Sequence, residues 1–373
     1  MSFANYYKLL SQMDNFAPSS SVSAVKGIEQ GLLDIKHLEE LIQAAALPHD
    51  LTDKIKNLLQ RASLSIRYGV GLNQIDGITK YVEWLTTLPW NKKTNDILDV
   101  TAAKKIMDKN HYGLLDIKQR ILEYLSILIL QSKKTDFSNF HAPVLFFTGL
   151  AGTGKTTFAR SIAETLGRTF IRIPFGGLSA ALDLRGMSKV QPEAEPGQII
   201  KALRRVGTKN PVILLDELDR ISPEAKGEIM GVLIELLDPE QNSGFLDHYI
   251  DYPFDLSQVI FIATANNTNN IATAVMDRME VIQLPSYSDE EKIVIAKSYI
   301  FPRAIKTSGL LEENVKVDDI VWQKIARMSG YDPGLRSVER KIEMIVRKVA
   351  YKFVSGEGTQ FSINEFNAKD FIE

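Results

Sequence analysis

From residue 28 onward, apolar residues recur at three- and four-residue intervals: Ile28, Leu32, Ile35, Leu38, Ile42 and Ala45, with Pro48 closing the run. That spacing places them on one face of a helix. A second stripe follows at Leu51, Ile55, Leu58, Ala62 and Ile66. Together the stripes predict a helical hairpin whose apolar faces form a core. A third helix carries Ile78, Val82 and Leu85 and stops before Pro89, because proline cannot continue a helix. Ahead of these helices, residues 16–24 read FAPSSSVSA, a composition that suits a linker or frayed arm.

From His141 the pattern changes. Apolar runs too short for helices now alternate with longer helical patterns: Pro143 to Thr148, Phe170 to Ile173, Val212 to Leu215, Val259 to Thr264 and Val281 to Leu284. Five buried strands separated by helices predict an α/β fold, with a parallel five-stranded sheet covered on both faces. After Pro285 no further strand is expected, and helical patterns run through Ile293 to Tyr299, Val321 to Met328 and Val338 to Phe353. The expected organisation is an arm over 1–25, an N-terminal helical segment over 26–100, an α/β nucleotide-binding domain over 101–285 and a small helical domain over 286–373.

Composition narrows the classes. With 45% hydrophobic and 24% charged residues the chain is neither disordered nor fibrous. Lys plus Arg number 44 against 46 Asp plus Glu, so no global charge draws it to nucleic acid or to an anionic membrane. The absence of cysteine removes disulfides, thiolate metal sites and cysteine nucleophiles. The most apolar run, Ile121 to Leu130, is interrupted by Glu123 and Ser126 and falls short of the roughly 18 apolar residues of a membrane helix. Met1 to Leu10 has no export signal, so the expected location is cytoplasmic.

The chemistry concentrates after the first strand, where Gly149-Leu150-Ala151-Gly152-Thr153-Gly154-Lys155-Thr156 fits G-x-x-x-x-G-K-[ST] at every fixed position. Glycines there let the backbone curl so that its N–H groups and the following helix N-terminus face a polyphosphate. Lys155 would reach the β and γ phosphates of ATP, and the Thr156 hydroxyl would hold Mg²⁺, with Thr157 beside it in the ATP/ADP site. About sixty residues on, Val212 to Leu215 delivers Asp216-Glu217. An apolar strand ending in an acidic pair suits Asp216 to the metal and Glu217 to polarising an attacking water. Asn266, after Val259 to Thr264, would bond the γ phosphate and that water. Arg278 and Arg336 are surface charges on composition alone.

These strings resemble the ATPase module of the Lon proteases, which are AAA+ proteins. The resemblance rests on residues 149–156, 214–219, Leu237-Asp238-Pro239-Glu240-Gln241-Asn242 and 277–282, and extends to YVEWLTTLPWN at 81–91 and His111-Tyr112-Gly113. It implies an ATP-hydrolysing ring, normally a homo-hexamer, acting on a protein substrate or partner. Asn266 would be the sensor-one residue, Arg278 an arginine finger reaching a neighbour's site, and Arg336 the sensor-two arginine. His111, Tyr112 and Tyr287 fall where the family lines its adenine pocket.

Three departures shape the functional expectation. Only a short helical lead stands where Lon chains carry a large substrate-binding domain. The chain ends at Glu373, near where the family's Ser-Lys peptidase begins, and no equivalent nucleophile segment is seen. Gln191-Pro192-Glu193 stands where the family places an aromatic-aliphatic-Gly pore loop. The leading expectation is therefore a Lon-like ATPase that remodels or regulates a protein partner, such as a separate peptidase, without cleaving protein itself. A fragment of a complete Lon protease, a nucleotide-bound assembly module and a nucleic-acid motor are the alternatives.

Overall fold

The computed structural model describes residues 19–68, 75–132, 143–191, 193–327 and 332–372. Along the chain run helices α1 (Ser19–Ala44), α2 (His49–Arg67), α3 (Ile75–Thr87), α4 (Val100–Asn110) and α5 (Leu115–Ser132). Then come β1 (Val144–Thr148), α6 (Lys155–Leu166), β2 (Phe170–Pro174), α7 (Gln198–Val206), β3 (Val212–Asp216) and α8 (Lys226–Leu237). Short strands β4 (Phe245–Asp247) and β5 (Tyr252–Phe254) precede β6 (Ile260–Ala265) and β7 (Met279–Gln283). The C-terminal part holds α9 (Asp289–Ile295), α10 (Phe301–Ser308), β8 (Val315–Val317), α11 (Asp319–Arg327), α12 (Arg336–Val354), β9 (Phe361–Ile363) and α13 (Ala368–Ile372).

The chain packs as two compact units. Residues up to 93, 185–209 and 246–254 form one; residues 94–184, 210–245 and 255 onward form the other. In the first unit, Ile35, Leu38 and Ile42 of α1 and Leu51, Ile55, Leu59 and Ile66 of α2 are buried, as their helical spacing predicts. Leu59 takes the fully buried position assigned to Leu58, which is only half-buried; an α-helix drifts across a seam, and either neighbour can point inward. Helix α1 begins at Ser19, so the last residues expected to be an arm are helical. Serine is tolerated near a helix N-terminus, and the stripe that follows makes that helix worth extending. The rest of the expected arm, residues 1–18, lies outside the described residues.

The segment 185–197 is fastened within this first unit. Asp247 accepts from the N–H groups of Gly197 (2.7 Å), Tyr249 (2.9 Å) and Ile250 (3.0 Å). Lys189 pairs with Asp251 at 3.2 Å, and its ammonium lies 4.4 Å from the centre of the Tyr81 ring. Gln191 N–H bonds Ser188 O, and Glu193 takes φ 59°, the left-handed conformation glycine adopts freely. Pro192 lies outside the described residues.

The second unit is built on a parallel five-stranded sheet in the order β2-β3-β6-β1-β7. All five strands match the five apolar runs to within two residues at either end. The three inner strands β1, β3 and β6 are buried along their whole length, and on one face Leu145, Phe147, Leu214 and Ile262 meet α5 and α6 through Ile121, Leu125, Phe158 and Ile162. A separate core forms in the C-terminal part from Ile300, Trp322, Val338, Ile342 and Ile345. The expectation of no strand after Pro285 is corrected by β8 and β9, which pair in parallel over Val315↔Phe361 to Val317↔Ile363. Three-residue strands are too short for a period-2 pattern to stand out.

Candidate functional site

The sheet order determines what meets. Strand β1 lies between β6 and β7, and β6 between β1 and β3, so the loop after β1 has the end of β6 beside it and the end of β3 one strand further on. Register pairs Thr148 with Ala265, which brings Asn266 next to the 149–156 loop. Gly149, Gly152 and Gly154 take φ values of 144°, 80° and 101°, conformations that side-chain-bearing residues rarely adopt. The loop then delivers Lys155 as the first residue of α6.

Lys155 is held from three sides. Its Nζ donates to Gly149 O at 2.6 Å, Leu150 O at 2.9 Å and Asn266 Oδ1 at 3.1 Å. Burial lowers its pKa from the ordinary lysine value, opposed by the charges of Asp219 and Asp216. Asp216 is nearly buried, and both its oxygens are engaged: Thr264 Oγ1 donates to Oδ1, and Arg172 Nε donates to Oδ2 at 2.5 Å. Glu217 has φ 61° and ψ 51°, a backbone cost of about 1–2 kcal/mol for a residue with a side chain. Its N–H bonds Thr264 Oγ1 at 3.0 Å, and its carboxylate pairs with Arg220 at 3.3 Å.

A cavity of about 260 Å³ opens over this cluster. Of the residues singled out from sequence, His111, Tyr112, Ala151, Gly152, Gly154, Lys155, Thr156, Thr157, Asp216, Glu217, Asn266, Tyr287 and Arg336 line it. Gly149, Leu150 and Thr153 shape the loop without lining the cavity: Thr153 Oγ1 bonds Leu150 O at 2.9 Å. Arg278 also lies apart, donating to Ala274 O (2.8 Å) and Asp238 (3.0 Å), and its Nε is buried without a partner. Arg336 makes no hydrogen bond or ion pair among the described residues.

The C-terminal part closes one wall. Leu335 N–H bonds Gly152 O at 3.0 Å, and Tyr287 Oη bonds Thr153 O at 3.2 Å. Gly334 sits so close that a Cβ would lie 2.3 Å from Ala151 O. The opposite wall carries His111, whose ring stacks on Phe158 at 3.7 Å with Nε2 2.9 Å from Ser161 Oγ.

Sequence reasoning missed Arg172, Thr264 and Arg220, and the wall formed by Tyr299, Ile300, Arg303 and Glu339. Arg303 and Glu339 are paired, and residues 296–300 form a π-helical turn, a distortion frequent at functional sites. Nothing in their spacing marks them, although the position of Arg172, two residues before the end of β2, could have been inferred from strand order.

Magnesium fits the donor set. Thr156 and Asp216 line the same cavity, whereas among the described residues no group of three or more His, Cys, Asp or Glu side chains could cage a metal alone. A cation that takes most of its ligands from phosphate and water needs only such a partial set.

A parallel sheet in this order, with a glycine-rich loop after β1, between β6 and β7, defines a P-loop ATPase fold, and residues 145–287 match the model of the ATPase family associated with various cellular activities, AAA. Residues 306–361 match the Lon protease AAA+ ATPase lid domain, and the chain is a Lon-type AAA+ ATPase module. It is 40% identical to the Lon protease of Lawsonia intracellularis over 343 residues, covering 91% of this chain and 40% of that protein. Identity is 42% over 295 residues to the Lon protease of Desulforamulus reducens, covering 79% and 36%. For Lon protease 2 of Thermus thermophilus it is 37% over 350 residues, covering 92% and 43%. The chain thus spans about two fifths of the length of the curated relatives it matches. No described helix is long and apolar enough to cross a membrane.

His111 gives the site a pH signature. Burial, with the nearby Lys118 charge, lowers its pKa to about 4. Between about pH 4 and 6.5 the unfolded imidazole binds a proton that the folded one refuses, so stability falls as pH drops through that window. Urea denaturation from pH 7 to pH 4 should show that loss, and His111→Gln should flatten it; an unchanged slope in the variant would contradict the assignment.

Proposed function

We propose that this module hydrolyses ATP in the cavity over Lys155 and couples the hydrolysis to remodelling or regulating a protein partner within a ring, normally of six subunits. The observation that carries the reading is the convergence of Lys155, Thr156, Asp216, Glu217 and Asn266 on one cavity. Lys155 would bind the β and γ phosphates, while His111, Tyr112 and Tyr287 would border the base. Thr156 and Asp216 would hold Mg²⁺, which supplies charge neutralisation across the phosphates when bound. Glu217 would accept the proton of the attacking water after parting from Arg220, and Asn266 would orient that water. Arg336, exposed and without an ion pair among the described residues, would be available to the γ phosphate from the lid. The near-neutral charge balance supports action on protein rather than nucleic acid, and a cytoplasmic location is part of the proposal.

The tethered 187–195 loop, with Glu193 where the family keeps glycine, supports a ring that does not thread polypeptide. A second reading is favoured by the chain's coverage of only about two fifths of its relatives: the ATPase portion of an ATP-dependent Lon serine protease. Both readings use the same site.

Glu217→Gln should retain nucleotide while losing turnover by about 10²- to 10⁴-fold, whereas Lys155→Ala should weaken binding itself. Wild-type turnover in Glu217→Gln would reject the assignment. Arg278 lies outside its own cavity and would act on a neighbour's. Mixing inactive Arg278→Ala with inactive Lys155→Ala should therefore recover part of the ATPase rate, since some ring sites pair an intact loop with an intact finger. Mixtures as inactive as their components would remove the trans role.

A further inference from the structure

Asp216 is buried, with its side chain 7% exposed, and a buried carboxylate needs a counter-charge. Arg172 supplies one from outside. It leaves β2 two residues before Pro174, the register partner of Asp216, and its Nε reaches Oδ2 at 2.5 Å. The guanidinium itself is about half exposed, and Asp216 is its one hydrogen-bonding partner among the described residues. Release into water therefore costs it little, whereas Thr264, which holds Oδ1, is fully buried and also accepts the Glu217 N–H. One oxygen of Asp216 is bound by a fixed group and the other by a movable cation.

We propose that Arg172 competes with the divalent cation for Asp216 Oδ2 and so sets the metal concentration at which the nucleotide site loads. Arg172 is a positioning residue: it does not line the cavity and acts through Asp216. The proposal rests on reading the cavity as a magnesium–nucleotide site. A positive charge beside the metal position disfavours the cation by Coulomb repulsion as well as by occupying its carboxylate. Because the guanidinium is half exposed, solvent and salt screen that repulsion, and the expected effect is about tenfold in metal affinity. Loading then exchanges one cation for another at Asp216, and the carboxylate is not left without a counter-charge at either stage.

Mn²⁺ binding, read by the loss of the free-ion electron paramagnetic resonance signal in the presence of saturating ADP, tests this on the full chain. Arg172→Gln should bind Mn²⁺ about tenfold more tightly than wild type, and Arg172→Lys, which keeps the charge, should stay near wild type. Arg172→Gln with unchanged or weaker Mn²⁺ binding would overturn the proposal. A second measurement needs no variant: the Arg172 Nε–H resonance of the ¹⁵N-labelled wild-type protein should move toward its solvent-exposed position when Mg²⁺ and ADP are added. A resonance that stays in place would overturn the proposal equally. Failure of the wild type to bind fluorescent ADP at any metal concentration would instead reject the underlying reading of the cavity.

Discussion

The cavity over Lys155 depends on Gly334 having no side chain. A Cβ there would lie 2.3 Å from the carbonyl oxygen of Ala151 and 2.6 Å from the carbonyl carbon of Gly152, so the lid can rest on the phosphate loop only through glycine. That approach lets Leu335 N–H reach Gly152 O and Tyr287 Oη reach Thr153 O. Consecutive carbonyls of the loop are thereby taken up by the lid, which leaves the loop's N–H groups as the free polar face a phosphate would meet. The same contact carries Arg336, two residues along, to the cavity.

Both carboxylates at the end of β3 are paired. Asp216 and Glu217 stand adjacent at the end of β3, and each is met by an arginine from a different place: Arg172 from β2 and Arg220 from the turn that follows. Thr264 joins the two acids, donating to one side chain and accepting from the other's backbone. Glu217 is held in a left-handed conformation that its side chain disfavours, and strain of this kind persists where the surroundings over-determine it. The buried sheet on one side and Thr264 on the other provide that determination.

The sequence made the sheet legible because strands buried on both faces read as unbroken apolar runs, and all five runs correspond to strands. Glycine spacing and the acidic pair at a strand end were equally direct. Arg172 and Thr264 were not legible as site residues, since a single arginine or threonine in a strand carries no spacing of its own and gains meaning only from strand order. The lid wall was hidden for a different reason: Arg303 and Glu339 lie 36 residues apart on helices whose relative placement follows from their core rather than from any motif. The parallel pair β8 and β9 escaped because each strand is three residues long. The left-handed Glu193 could have been suspected, because the resemblance places glycine at that position.

If the contact of Gly334 with the phosphate loop builds the cavity, nucleotide affinity depends on that contact. Titration of fluorescent ADP into Gly334→Ala and wild-type protein tests it most directly. Overpacking of this kind costs about 1–3 kcal/mol, so the variant should bind ADP about tenfold or more weakly. Equal affinity of Gly334→Ala and wild type for ADP would contradict the claim.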